Sequence, residues 1–352
     1  MSERLVRGLL TAALAIATAL SVDGIVATGL AAAEPATGPP LTATDGTHIS
    51  DIRHVSDRVL DIAVHAAAMD SDTRLTVLRA ADPDRPAPTF YLLNGANGGS
   101  DGNWLETTDL IRFFRDKQVN VVIAFGGAGS YFADWRTDDP VLGRLRWTTF
   151  LTDELPPIID AAFRGNGANA IAGLSMAGTS VFQLAIGSPG LYRAIGSYSG
   201  CVRTSDPQGQ AMVQAVVAGQ RGNAANMWGP PGDPAWRVND PYLHADRLRG
   251  TDIYVSSGNG LPGPQDTLPG AQGDPMKLMY QLMFGAPLEA VTNVCTHQLQ
   301  DRLRQLNVPA TFDFRPEGTH SWGYWEQDLH ASWPMFEAAL NRPQTESTTG
   351  RR

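Results

Sequence analysis

The chain has 352 residues, 43% of them hydrophobic and 18% charged, with a formal net charge of −9. That is enough apolar material for a full core, and the acidic balance excludes binding nucleic acid through a basic face. No run of Lys and Arg forms a polybasic membrane patch.

In chain order, the first element reads as a targeting segment. Arg4 and Arg7 precede an apolar, alanine-rich stretch from Gly8 to Leu20, and Ala31 and Ala33 offer the small residues a signal peptidase requires. Asp23 and Gly24 interrupt the stretch too early for a membrane span. Residues 1–33 are therefore expected to be a cleaved export signal. Its loss removes Glu3, Asp23, Arg4 and Arg7 together and leaves the net charge at −9. Residues 34–50, rich in Pro, Gly and Thr, are expected to be a flexible linker.

A single domain is expected over 51–341. Two alternating segments, "RVLDIAVHAAAM" and "RLTVLRA", predict an antiparallel strand pair. Thr89–Gly95 and Val119–Gly127 are short apolar runs ending in glycine, with the helical "LIRFFRDK" between them; they predict buried strands. "FLTDELPPIIDAAF" predicts a helix. "NAIAGLS" predicts a strand, "AGTSVFQLAIG" a helix and "AIGSYSG" another strand. Asp206–Pro241 carries little periodicity and is expected to be an irregular insertion. "DIYVSSGNG" restores the strand pattern, "PMKLMYQLMF" and "AVTNVCTHQLQDRLRQL" are helical, "ATFDFRP" is a last strand, and "WEQDLHASWPMFEAAL" is a closing helix despite Pro334. Residues 342–352 are expected to be a disordered tail. A meander followed by alternating strands and helices calls for an α/β fold with a mostly parallel, doubly wound sheet.

Chemistry concentrates at Ser175. In "IAGLSMAGTS" the serine lies between a buried strand and a helix, flanked by Gly173 and Ala177. A nucleophile elbow of the G-x-S-x-G type needs small residues there because strand and helix crowd at a strained turn. A plain strand-to-helix turn is the competing reading, and the position at a strand's carboxyl end favours the nucleophile. In this order of elements the base follows the serine. His48, His54 and His65 come too early, His297 and His330 lie in helices, and His244 sits in the insertion. His320, in the loop after the last strand, is the candidate base. Position leaves the acid open among Asp266, Glu289 and Asp301, with Asp313 inside the last strand. The N–H of Met176 and that of Ala96, after the turn at Gly95, are the candidate oxyanion donors. Cys201 and Cys295 are the only cysteines, and an exported chain would join them in a disulfide.

From Tyr91 to the final helix the chain resembles the antigen 85 family, secreted mycolyltransferases with the α/β-hydrolase fold. The likeness is carried, in order, by "YLLNG", "SYFADW" at Ser130–Trp135, "WTTFLTDELP", "GLSMAG", "SGNG" and "GTHSW" followed by "YW". It implies Ser175 as nucleophile, His320 as base and Glu289 as acid, with Ala96 and Met176 as oxyanion donors and Trp322 beside the pocket. It also implies transfer of a mycolyl or similar long acyl chain through an acyl-enzyme to trehalose, with no metal or cofactor. One loop departs. Where active members have an Asp and an Arg that hold the sugar, this chain has Asn94 and Asn97, so trehalose is expected to be held less firmly.

The expected protein is thus an exported, envelope-associated monomeric acyltransferase, with an acyl-ester or glycolipid donor and a sugar or lipid acceptor. A secreted carboxylesterase is the second reading. A non-catalytic protein binding cell-wall glycan or matrix is the third.

Overall fold

The computed structural model describes residues 43–343. Nine strands form one sheet in the order β1-β2-β3-β5-β4-β6-β7-β8-β9. They are β1 (His48–His54), β2 (Val59–Ala66), β3 (Ser71–Leu78), β4 (Ala87–Leu93), β5 (Asn120–Ala124), β6 (Gly165–Leu174), β7 (Tyr192–Tyr198), β8 (Asp252–Ser257) and β9 (Thr311–Phe314). The pairs β1–β2, β2–β3 and β3–β5 are antiparallel, and every other pair is parallel.

The central strands read as continuous apolar runs because both faces are covered. Along β4, Tyr91 and Leu93 enter one core cluster while Phe90 and Leu92 enter the other. Residues two apart share a face, so one strand feeds two cores. On the first face lie α1 (Leu155–Phe163), through Ile158 and Ile159, and α2 (Met176–Gly187), through Val181 and Phe182. On the second lies α5 (Trp322–Leu340), through Leu329, Trp333 and Phe336. Between them in sequence come α3 (Pro207–Gly219) and α4 (Ala286–Gln305). This is the doubly wound arrangement of α/β hydrolases, with antiparallel strands leading in.

Three expectations need correction. The expected antiparallel pair forms as β2 and β3, but β1, which begins at His48 inside the expected linker, adds a third strand to the lead-in. Its sequence HISDIRH is mostly exposed, so it carries no apolar alternation to read. "LIRFFRDK" forms only the single turn Leu110–Phe113. The supposedly irregular insertion contains α3, started by Asp206, whose side chain accepts from the N–H groups of Gln208 and Gly209, with proline just inside the helix.

The expected signal, the linker up to residue 42 and the tail from residue 344 lie outside the described residues. Among the described residues no helix is long and apolar enough to cross a membrane.

Candidate active site

Ser175 follows β6 and immediately precedes α2 with φ +55° and ψ −120°, a positive-φ conformation that costs a non-glycine residue energy. The neighbours explain the small residues. A Cβ on Gly173 would lie 2.7 Å from the Cβ of Ala177 and 2.9 Å from its carbonyl oxygen. A Cβ on Gly178 would lie 2.7 Å from Ser197 Oγ and 2.9 Å from Gly200 Cα. Strand and helix touch backbone to backbone, and the serine is lifted at their junction. Its N–H donates to the Tyr198 carbonyl at 2.8 Å. Its hydroxyl makes no capping bond to α2 and is left uncommitted. Gly173→Ala is accordingly expected to destabilise the fold by about 1–3 kcal/mol through overpacking. Urea unfolding checks this; an unchanged midpoint would mean that the strand and helix can part at no cost.

His320 sits between β9 and α5. Its backbone N–H donates to the Gly285 carbonyl at 3.2 Å, and its buried ring stands edge-on to Trp325 with centroids 4.9 Å apart. Nδ1 lies 2.8 Å from Glu289 Oε2. An ionised carboxylate only accepts, so Nδ1 carries the proton and Nε2 of the neutral ring offers a lone pair. Nε2 is buried and makes no hydrogen bond, to Ser175 or to any other group. A link between serine and base is commonly long without substrate and closes in the complex.

Glu289, in the first turn of α4, is fully buried. A buried charge persists only where it is paired and hydrogen-bonded, and this one is held from all sides. Oε1 accepts from Ser199 Oγ at 2.8 Å, from the Gly258 N–H at 2.7 Å and from Arg315 Nη2 at 3.4 Å. Oε2 accepts from His320 and from Thr292 Oγ1 at 3.3 Å. The other candidate acids lie elsewhere. Asp301 is exposed beside Arg304, and Asp313 accepts from Tyr254. Asp266 accepts from Thr319 and Tyr324, bracing the histidine loop from the side.

The helix bearing Glu289 is anchored. A π-turn, Gln281–Gly285, leads into α4, and its Gly285 carbonyl receives the His320 N–H. Such turns are rare and gather at functional sites. Cys201 and Cys295 form the expected disulfide, with Cα atoms 5.1 Å apart. Thr179 of α2 donates to the Cys201 carbonyl, so the helix behind Ser175 shares this anchorage.

The loop after β4 lies against the elbow. A Cβ on Gly95 would meet Leu174 Cδ1 at 2.8 Å and Ser175 Cβ at 3.5 Å. Ala96 follows directly, and Met176 is the first residue of α2, so both expected oxyanion donors adjoin the serine. Trp322 is partly exposed, its ring 5.5 Å from Trp104 and 5.2 Å from Trp325.

Asn94 and Asn97, at the positions where active relatives are expected to hold the sugar, are bonded within the protein. Asn94 is fully buried and its amide donates to the Ala124 carbonyl at 2.9 Å. Asn97 spends both ends inside its own loop, accepting from the Gly99 N–H and donating to the Asp101 carbonyl. Both brace the loop, and Asn94 Oδ1 is buried without a hydrogen-bond partner.

Sequence reasoning passed over Ser199, Arg315, Trp325 and Asp328. Trp325 Nε1 donates to Ser199 Oγ at 3.0 Å, and Ser199 donates onward to Glu289. Ser199 also adopts φ +55°, a conformation with no signal in its side chain.

Residues 66–336 match the family described as "Putative esterase". The "Diacylglycerol acyltransferase/mycolyltransferase Ag85B" of Mycobacterium leprae is 33% identical over 270 residues, covering 72% of this chain and 76% of that protein. The Ag85A protein of the same organism is 33% identical over 266 residues, with the same coverage of each chain. The chain belongs to the esterase family that contains the antigen 85 mycolyltransferases. Among solved structures, Mycobacterium tuberculosis MPT51 (FbpC1) superposes on this esterase-family chain with a TM-score of 0.68 at 25% identity, covering 81% of this chain and all of that one. As a family member the protein is an enzyme of acyl transfer or ester hydrolysis.

Proposed function

We propose that this is an exported serine acyltransferase that moves a long-chain acyl group through Ser175 to a hydroxyl acceptor. The observation that carries the reading is the His320 Nδ1–Glu289 Oε2 bond of 2.8 Å, which leaves Nε2 free to take a proton. Ser175 Oγ attacks the ester carbonyl while its proton passes to Nε2. Glu289 stabilises the imidazolium, and the N–H groups of Met176 and Ala96 stabilise the oxyanion. Collapse expels the donor's alcohol, which takes the proton from His320, and leaves an ester on Ser175. An acceptor hydroxyl then repeats these steps in reverse order, with His320 again as base.

The surface beside the site supports a lipid donor. Seven of the thirteen exposed large apolar side chains among the described residues lie between Leu261 and Met283. Met276, Met279, Tyr280 and Met283 follow one another at helical spacing, on the segment that leads through Gly285 to Glu289. An acyl chain leaving the carbonyl can lie along this shelf.

The acceptor follows from what the loop after β4 lacks. Charge-assisted hydrogen bonds are about twice as strong as neutral ones, and neither Asn94 nor Asn97 supplies one. Water and simple alcohols should therefore compete with trehalose for the acyl-enzyme. Intact-mass measurement with a long-chain ester donor is expected to show one acyl group on wild-type protein, and free acid is expected to be a substantial product beside acyl-trehalose. No adduct under any donor would defeat the acyl-enzyme reading. Near-complete transfer to trehalose would defeat the acceptor reading alone.

A further inference from the structure

Arg315 is the first residue after β9, and its N–H donates to the Ser257 carbonyl at 3.0 Å. Its side chain, only 13% exposed, reaches Glu289 Oε1 with Nη2 and Asp328 Oδ1 with Nη1. Asp328 projects from α5 and is 2% exposed. The ionisable groups around the guanidinium are Glu289 from α4, Asp328 and Tyr324 from α5, Asp313 from β9, and Tyr254 of β8 beyond the two aspartates. Burial alone would lower the Arg315 pKa, but the carboxylates of Asp328 and Glu289 outweigh it and hold the cation charged.

A buried ion pair is weak support for stability, since an apolar pair of similar volume commonly serves as well. This one is set directly against the carboxylate that orients His320. We infer that Arg315 is a positioning residue for Glu289, and that Asp328 is its counter-ion, setting how much of the cation's charge reaches the base. The inference rests on reading Ser175, His320 and Glu289 as a triad. Alone, Arg315 would draw on the same carboxylate charge that has to stabilise the imidazolium, and would disfavour protonation of His320. Asp328 cancels part of that field. Charges in a water-poor interior act more strongly than at the surface, so each partner should move the base measurably.

The test is the pH profile of kcat/KM on a soluble short-chain ester, whose acid limb reports protonation of the base in the free enzyme. Asp328→Asn unmasks the cation and should shift the limb to lower pH by roughly half a unit or more. Arg315→Gln removes the cation and should shift it to higher pH, but by less, because Asp328 gives up its own charge when the guanidinium is gone. The double variant should follow Arg315→Gln. Burial pushes Asp328 up to about 6 even against the Arg315 guanidinium; without that guanidinium it stays protonated, so Asn removes no charge. If Arg315→Gln does not fold, Arg315→Lys, which keeps the charge with less reach, should lower kcat and leave the limb in place.

An Asp328→Asn or Arg315→Gln limb that superimposes on wild type despite a fall in kcat would reduce the pair to a structural role and overturn the inference, as would a shift of both singles in one direction. Fluorophosphonate labelling reports the triad separately. If Ser175→Ala still labels, the triad reading falls and takes this inference with it. If labelling is lost in Ser175→Ala while the limbs superimpose, the charge pair falls alone.

Discussion

Ser175→Ala is expected to abolish turnover, by on the order of 10⁴-fold or more, and to leave the fold untouched. The hydroxyl makes no bond to α2, so removing it leaves no group unsatisfied. Alanine keeps the Cβ and therefore the strain of φ +55°. Ser175→Gly separates the two properties of the position. Glycine accepts positive φ freely, so this variant should be equally inactive but more stable than wild type by about 1 kcal/mol. Activity on a para-nitrophenyl ester and thermal unfolding of both variants check the pair of claims. Near-normal rates in either would remove Ser175 from the reaction. A glycine variant less stable than wild type would show that the turn is not strained.

Glu289→Gln carries the second large effect, a fall of about 10⁴-fold in kcat at neutral pH. Wild-type Oε2 accepts the Nδ1 proton, whereas an amide NH₂ in its place donates. The ring would then take the other tautomer, with its proton on Nε2, and have no lone pair for the serine. Oε1 of the glutamine could still accept from Ser199 and the Gly258 N–H, so the helix should stay seated. Activity should recover little with rising pH, because the defect lies in orientation and not in titration. Rates within tenfold of wild type would assign the acid elsewhere. Asp266, which accepts from Thr319 next to His320 in the chain, would be the next residue to replace.

Ser175 and His320 were legible as candidates because each carries its context with it. Crowding at Gly173 and Ala177 is a local requirement, and a histidine in the loop after the last strand has few structural uses. Glu289 was not legible from position. Its defining contact lies 31 residues away, and nothing in "APLEAVTN" distinguishes it from a carboxylate on a helix surface. Only the likeness to relatives singled it out. Arg315 and Asp328 were invisible for a related reason: their pairing closes between a loop and a helix, and each alone looks like a solvated charge. The helix Pro207–Gly219 is a different kind of miss. Its capping aspartate, the proline behind it and the buried spacing of Gly209, Met212, Val213 and Val217 were all present in the sequence. The glycines and prolines farther along the same stretch obscured them. Strand β1 offered no such clue, being a polar edge strand recognised only by its pairing with β2.

The Cys201–Cys295 bond joins positions 94 residues apart, and the segment it encloses runs from the loop after β7 through β8 into α4. Closing so long a loop removes about 4–5 kcal/mol of chain entropy from the unfolded ensemble. The placement matters more than the sum. Partial opening of a domain proceeds in cooperative pieces, and a helix packed on the face of a sheet is a natural piece to lose. Here α4 cannot drift from the sheet without drawing on the loop that also holds Thr179, and so on the helix behind Ser175. The least stable excursion that would disarm the protein is thereby merged with a much larger one. Fewer such excursions mean fewer openings to proteolysis and a longer working life.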